Sequence, residues 1–214
     1  MTYAQAFSHR VPSMVARQLG TDPKPVYQCM NFATAVITEY AHFYKLELNI
    51  RSDRADKRKE HSKISPDPTY NGTWQDFHGG AENDNTGKGK WGKFSNYFMA
   101  WEAYNNNTVF NDISWDNLQP GDIIATQYDD GGYHAQTVES IETKEETSGF
   151  LWWETTEEVT YVTVTQGSLD SSRDGSALAR KTYKLENLKD NRHYDDDSGK
   201  KIKARRLNYS NISN

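Results

Sequence analysis

The apolar positions early in the chain predict an α-helix. Between residues 26 and 44 they fall at 32, 33, 36, 37, 40 and 44, a spacing of three and four residues that lines up on one helical face. Pro23 and Pro25 lie just before this segment and would end an earlier helix. We therefore expect Gln28 and Cys29 at or near the N-terminus of the helix.

The later part of the chain changes to the alternating pattern of a sheet. A second helix is predicted over 94–105, and strands are then predicted at 122–127, 133–142, 159–166 and 201–208. Polar and glycine-rich residues at 51–93 predict a loop-rich insertion or lid. A helix followed by an antiparallel sheet of four to six strands indicates the α+β class, with 1–214 forming one domain.

Composition and charge narrow the class of partner. The chain carries 13 Tyr, 8 Phe and 6 Trp, so its core must contain many large rings that keep a polar edge. A formal net charge of −5 argues against a nucleic-acid partner, since Lys and Arg are not in excess. The N-terminal residues lack the pattern of a signal peptide, and no apolar run of about 18 residues occurs. We expect a protein without a membrane span, cytoplasmic as made.

The single cysteine is the first candidate for chemistry. Cys29 cannot form an intramolecular disulfide, and no group of Cys and His residues has the spacing of a zinc site, so we predict a free thiol and no metal site. A helix N-terminus favours a thiolate, because unpaired backbone N–H groups and the helix dipole point at it. The alternative interpretation is that Cys29 is a small buried hydrophobic residue.

A histidine beside the thiol would complete a nucleophile and base pair. Of the six histidines, His134 opens a predicted strand directly after a glycine turn. The others lie in polar or unstructured stretches or beyond the apolar stripe of the first helix: His9, His42, His61, His78 and His193. An imidazole next to Cys29 could accept its proton, form an ion pair with the thiolate and later protonate a leaving amine. Alternatively, His134 only satisfies a local hydrogen bond.

Three pieces of sequence together resemble a known family. They are the cysteine at the start of the helix, WDNLQPGDIIA at 115–125 and GGYHAQTVESI at 131–141. Their order is similar to that of the NlpC-type branch of the papain-like cysteine peptidases and of the related CHAP amidases, many of which cut peptide or amide bonds in bacterial peptidoglycan. The resemblance covers roughly residues 26–45 and 115–168. The turn at Leu118 to Asp122 is interpreted as scaffold, because Pro and Gly set its backbone and Asp can cap it.

The resemblance implies a third polar residue that orients the imidazole. Gln166, at the end of the strand after the histidine strand, takes this role if Val162, Val164 and Gln166 mark the inward face. Thr165 and Ser168 are alternatives.

The resemblance also implies donors for an oxyanion hole beside the nucleophile. The backbone N–H of Cys29 is one such donor, and Tyr27 and Gln28 are candidates for contacts with the substrate or oxyanion. An equally open interpretation of Tyr27 is a hydrophobic staple that precedes the helix.

The function implied by the resemblance is a cysteine amidase or peptidase of papain-like α+β fold. Cys29 would attack a peptide amide of bacterial peptidoglycan, His134 would protonate the departing amine, and neither metal nor cofactor is required. A small cell-wall amidase without a signal peptide suggests an antibacterial effector exported by a specialised secretion system, with an immunity or inhibitor protein as partner. Two alternatives stay open: an acyltransferase or deamidase acting on a protein, and a catalytically inactive binding module.

Overall fold

The computed structural model describes residues 3–20, 26–27, 29–44, 46–51, 61–64, 100–149, 154–167, 176–190 and 201–213. The helices are α1 (Tyr3–Gly20), α2 (Cys29–Phe43), α3 (Ala100–Asn105) and α4 (Leu185–Lys189). The first six strands are β1 (Val26–Tyr27), β2 (Glu47–Arg51), β3 (His61–Ile64), β4 (Phe110–Asp112), β5 (Ile123–Gln127) and β6 (Tyr133–Ser148). The remaining strands are β7 (Thr155–Gln166), β8 (Ser176–Ala177), β9 (Ala179–Lys184), β10 (Lys201–Leu207) and β11 (Ile212–Ser213).

The main sheet has six antiparallel strands in the order β4-β10-β5-β6-β7-β9. Together with the helices it confirms the predicted α+β class. The four predicted strands are present, and β6 and β7 extend beyond their predicted bounds to form a long hairpin. Two smaller antiparallel sheets pair β1 with β8, and β2 with β3 and β11.

The predicted first helix is confirmed as α2, and it begins at Cys29. The stripe positions from Phe32 to Tyr40 are at most 2% exposed. Tyr44 is 44% exposed, so its assignment to the stripe was wrong; the helix ends one residue earlier, at Phe43. More of α2 is buried than a single stripe requires, because α1, α3 and the sheet all pack against it.

The two faces of the main sheet belong to different cores. The helix face of the sheet, as we call the face that α1, α2 and α3 cover, includes Ile123, Ala125 and Ala135. The opposite face packs against α4 and includes Ile124 and Val138. Alternate residues of a strand point to opposite faces, which explains why neighbours such as Ile123 and Ile124 join different clusters.

Helix α1 and strand β3 are among the elements that were not predicted. We call the cluster between the helices and the helix face of the sheet the helix core. Phe7, Val11 and Met14 of α1 are buried in it, although Pro12 lies inside α1. His9 and His61 are therefore in regular elements and not in unstructured segments.

Two predicted segments are only partly described. Within the predicted insertion at 51–93, residues 51 and 61–64 form strands, because β2 pairs with β3; the rest lies outside the described residues. Of the helix predicted over 94–105, the part from Ala100 is confirmed.

Candidate functional site

Cys29 is the first residue of α2 and is partly exposed. It packs at the border of the helix core and forms no disulfide. This confirms the predicted place of the thiol at a helix N-terminus, where the dipole and the first backbone N–H groups favour an anion.

His134 and Gln166 are brought together by the pairing of β6 with β7. Nε2 of His134 lies 2.9 Å from Oε1 of Gln166, and both side chains are buried. An amide oxygen can only accept, so Nε2 carries the proton in this arrangement. The other ring nitrogen, Nδ1, is then the basic one. Val162, Val164 and Gln166 do share a buried face, as the alternation of β7 predicts.

Burial makes the imidazole a weaker base for protons from solvent. The pKa of His134 is lowered from 6.5, chiefly because its charged form loses hydration in the interior. The hydrogen bond with Gln166 opposes this shift, whereas the positive charge of Lys181 on β9 adds to it. His134 is accordingly neutral at physiological pH, which is the form that a general base needs.

Two further residues join this pair and had no signal in the sequence. Gln136 donates from Nε2 to Oε1 of Gln166 at 2.5 Å, and its Nε2 lies 3.3 Å from the hydroxyl of Tyr183 on β9. We call His134, Gln136, Gln166 and Tyr183 the polar cluster. Strand registers bring them together, so only knowledge of how β6, β7 and β9 pair could have predicted the cluster.

The polar cluster and α2 lie on opposite faces of the sheet. Ala135 packs in the helix core, and the pleat of β6 directs its neighbours His134 and Gln136 away from it. Val138 and Val164, which share the face of the polar cluster, belong to the core beneath α4. The structure thus brings His134 and Gln166 together, but directs the imidazole to the face that α2 does not cover.

The chain path nevertheless brings the start of α2 to the end of the sheet where Gln166 lies. Tyr27 of β1 lies two residues before Cys29 and pairs with Ser176 of β8. Ala179, three residues after Ser176, pairs with Gln166. Tyr133, beside His134, packs against the same core as Cys29. If the thiol of Cys29 and the imidazole of His134 are in contact, they meet at this end of the sheet.

The remaining candidates have other positions. The backbone of Tyr27 pairs with β8, while Gln28 and Ser168 lie outside the described residues. Thr165 donates to Oε2 of Glu139 at 2.6 Å, and this carboxylate also binds Arg180. Thr165 therefore has a partner away from the imidazole, whereas Gln166 is hydrogen-bonded to it.

The turn before β5 is scaffold, as predicted. Gly121 adopts a φ of 94°, and Oδ2 of Asp122 accepts from the backbone N–H of Gln119 at 2.7 Å. Arg206 of β10 binds both oxygens of Asp122 at 2.7 and 2.8 Å. Burial raises the pKa of Asp122, while Arg206 opposes the rise. This carboxylate closes a turn and ties it to the neighbouring strand.

Within the described ranges, no group of three or more His, Cys, Asp and Glu side chains is arranged to hold a metal ion. No helix in the part of the chain that the structure covers is long and apolar enough to cross a membrane. Comparison of the chain with protein-family models, with curated proteins and with solved structures gives no match.

Proposed function

We propose that the chain is a cysteine-dependent amide hydrolase with a papain-like arrangement of the NlpC type. Its proposed substrate is a peptide amide of bacterial peptidoglycan. The observation that carries the proposal is the buried hydrogen bond between Nε2 of His134 and Oε1 of Gln166, together with a partly exposed cysteine that opens α2. This is the set of groups that thiol-based acyl transfer needs: nucleophile, base and orienting group.

In the proposed reaction, Nδ1 of neutral His134 removes the thiol proton as the sulfur of Cys29 attacks the amide carbonyl. The tetrahedral oxyanion is held by backbone N–H groups at the start of α2. The imidazolium then protonates the departing amine, and water hydrolyses the thioester to release the acid and the thiol. Gln166 keeps Nε2 protonated throughout, because its oxygen accepts from that nitrogen.

An antibacterial role would follow from that substrate. Such an enzyme would be delivered by a specialised secretion system and held inactive in the producing cell by an immunity protein. These partners are part of the proposal and follow from the resemblance of the sequence motifs alone.

A second candidate function is a binding module without catalysis, and the pleat of β6 favours it. Because His134 points to the face of the sheet that α2 does not cover, its imidazole would serve the polar cluster and not the thiol. The two candidates differ in one physical contact, that between the sulfur of Cys29 and Nδ1 of His134.

The decisive experiment compares thiol reactivity with hydrolysis. Wild type, His134→Ala and the exposed-site control His9→Ala are labelled with iodoacetamide at neutral pH, and each is incubated with purified peptidoglycan. We expect His134→Ala alone to slow labelling of Cys29 and to stop the release of fragments detected by mass spectrometry. Equal labelling rates in all three proteins and intact peptidoglycan that retains the protein would overturn the enzyme and support the binding module.

A further inference from the structure

The hydrogen bonds of the polar cluster assign a role to Gln136. Oε1 of Gln166 accepts from two donors at once, Nε2 of His134 and Nε2 of Gln136. If the amide of Gln166 turned over alone, its N–H₂ group would meet the N–H₂ group of Gln136, and two donors would face each other. Gln136 therefore opposes the turning of Gln166.

The orientation of Gln166 in turn decides the tautomer of His134. With the amide oxygen towards the ring, Nε2 must carry the proton, and Nδ1 has the lone pair. With the amide nitrogen towards the ring, Nε2 must accept and the proton moves to Nδ1. The second tautomer has no basic Nδ1 and could not take a proton there.

We propose that Gln136 is a positioning residue that fixes the Nε2–H tautomer of His134 by locking the amide of Gln166. It lies one residue beyond Ala135 on β6, on the same face as His134, and is fully buried. Its Nε2 makes the two contacts that this role requires, a short hydrogen bond to Oε1 of Gln166 and an approach to the hydroxyl of Tyr183. The inference about the tautomer stands on these contacts, whereas its consequence for catalysis rests on the proposed function.

The cluster also carries an unused donor and an unused acceptor. Nε2 of Gln166 and Oε1 of Gln136 are buried and have no hydrogen-bond partner among the described residues. The opposite arrangement would require both amides to turn together, and it would again leave one nitrogen and one oxygen unused. The two amides are therefore coupled, so that Gln166 cannot turn unless Gln136 turns with it.

The experiment is ¹⁵N NMR of the histidine ring nitrogens, in which protonated and unprotonated nitrogens are resolved. The signals of His134 are assigned by their loss in His134→Gln. In the wild type we expect protonated Nε2 and unprotonated Nδ1. In Gln136→Met, which keeps the length of the side chain and removes the donor, we expect both tautomers in comparable amounts.

The matched control is Gln127→Met on β5. Gln127 also makes a cross-strand hydrogen bond, from its Nε2 to the hydroxyl of Tyr133 at 3.0 Å. It points to the helix face, so its loss should leave the spectrum of His134 unchanged. A wild-type spectrum with protonated Nδ1 would overturn the proposal even if no variant folds, and so would a Gln136→Met spectrum equal to that of the wild type.

Rates of peptidoglycan hydrolysis in the same proteins separate this proposal from the function. Halving the competent tautomer in Gln136→Met should lower the rate about twofold, with the control unchanged. If the spectra change as expected but the wild type releases no fragments, Gln136 keeps its positioning role and the proposed function is wrong. If the wild type hydrolyses peptidoglycan and the spectra of wild type and Gln136→Met are the same, the function stands and the role of Gln136 is wrong.

Discussion

The two faces of the main sheet use neighbouring residues of the same strands for different purposes. On the helix face, Ala125 and Ala135 leave room for the helices, and the core is built from aliphatic and aromatic side chains. On the opposite face, His134, Gln136 and Gln166 are equally buried but bind one another through hydrogen bonds. Burial alone therefore does not distinguish the two faces of the sheet in this protein; the chemistry of the buried side chains does.

The largest expected effect comes from removing the thiol on the helix side of the sheet. Cys29→Ala should lower peptidoglycan hydrolysis by about 10⁴-fold or more, because the nucleophile is removed. The free energy of unfolding should change by less than about 1 kcal/mol, since Cys29 lies at the border of the core. Turnover is measured by mass spectrometry of released fragments, and stability by urea unfolding.

A double variant then asks whether the two residues act in one step. If they do, Cys29→Ala/His134→Ala should be hardly slower than either single variant, because each change already abolishes the same step. Defects that multiply would show that the two faces contribute separately.

The helix core should tolerate little added volume where Gly121 meets α1. Gly121→Ala puts a Cβ 2.5 Å from Cε1 of Phe7 in α1, at a φ of 94°. The strained backbone should cost about 1–2 kcal/mol, and the displaced ring about 1–3 kcal/mol more. Gly131→Ala is the matched control, with a φ of 85° and, apart from its chain neighbours, no atom within 4 Å. Urea unfolding of both variants isolates the contact with Phe7, and equal losses would mean that α1 does not pack tightly there.

Sequence periodicity could predict that His134 and Ala135 point to opposite faces, but not which face α2 would cover. Ala135, Thr137 and Ile141 stand at odd-numbered positions of one predicted strand, and strict alternation would place all three on one face. A bulge between Val138 and Ser140 shifts the register, so Ile141 joins the face of Val138 instead. No residue in the sequence predicts this bulge, because the bulge depends on how β6 pairs with β7.

Other parts of the fold differ in how far the sequence determines them. The start of α2 and the turn at Gly121 follow from local rules about prolines and glycines, and both were predicted. Helix α1 has buried residues at 7, 11, 14 and 15, a helical spacing that was present in the sequence; Pro12 argues against it, because proline normally disrupts a helix interior. The polar cluster depends on three strands that are far apart in sequence, so it required the structure.

A smaller effect is expected when the orienting group is removed from the polar face. Gln166→Ala should slow hydrolysis by on the order of 10-fold to 100-fold, by analogy with the loss seen when the hydrogen-bond partner of a metal-binding histidine is removed. It should not abolish activity, because Gln166 orients the imidazole but transfers no proton itself. Thr165→Ala, which removes the neighbouring hydroxyl that binds Glu139, is the control and should hydrolyse at the wild-type rate. Equal rates in both variants would exclude Gln166 as the orienting residue.

The smallest expected effect is a dependence of stability on pH. Its sign reports whether the imidazole of His134 is neutral or protonated in the folded protein. The pKa of His134 is lowered in the folded protein, chiefly by burial, so the unfolded chain binds a proton more readily. Its contribution to stability is therefore complete above 6.5 and is lost as the pH falls through the lower folded pKa. One proton changes the free energy of unfolding by at most about 1.4 kcal/mol per pH unit.

The measurement is urea unfolding at about pH 7.5 and about pH 5.5, on either side of the ordinary histidine pKa. The wild type should lose more stability between these values than His134→Gln does, whereas His9→Gln, which changes an exposed residue of α1, should follow the wild type. The opposite sign, with His134 stabilising the fold as the pH falls, would mean that the native imidazole is protonated. An ion pair with the thiolate of Cys29 requires that state, so this result would place the thiol against the ring despite the pleat of β6. A loss confined to the wild type and the His9 variant would instead keep His134 neutral within the polar cluster, available as a base but not already paired.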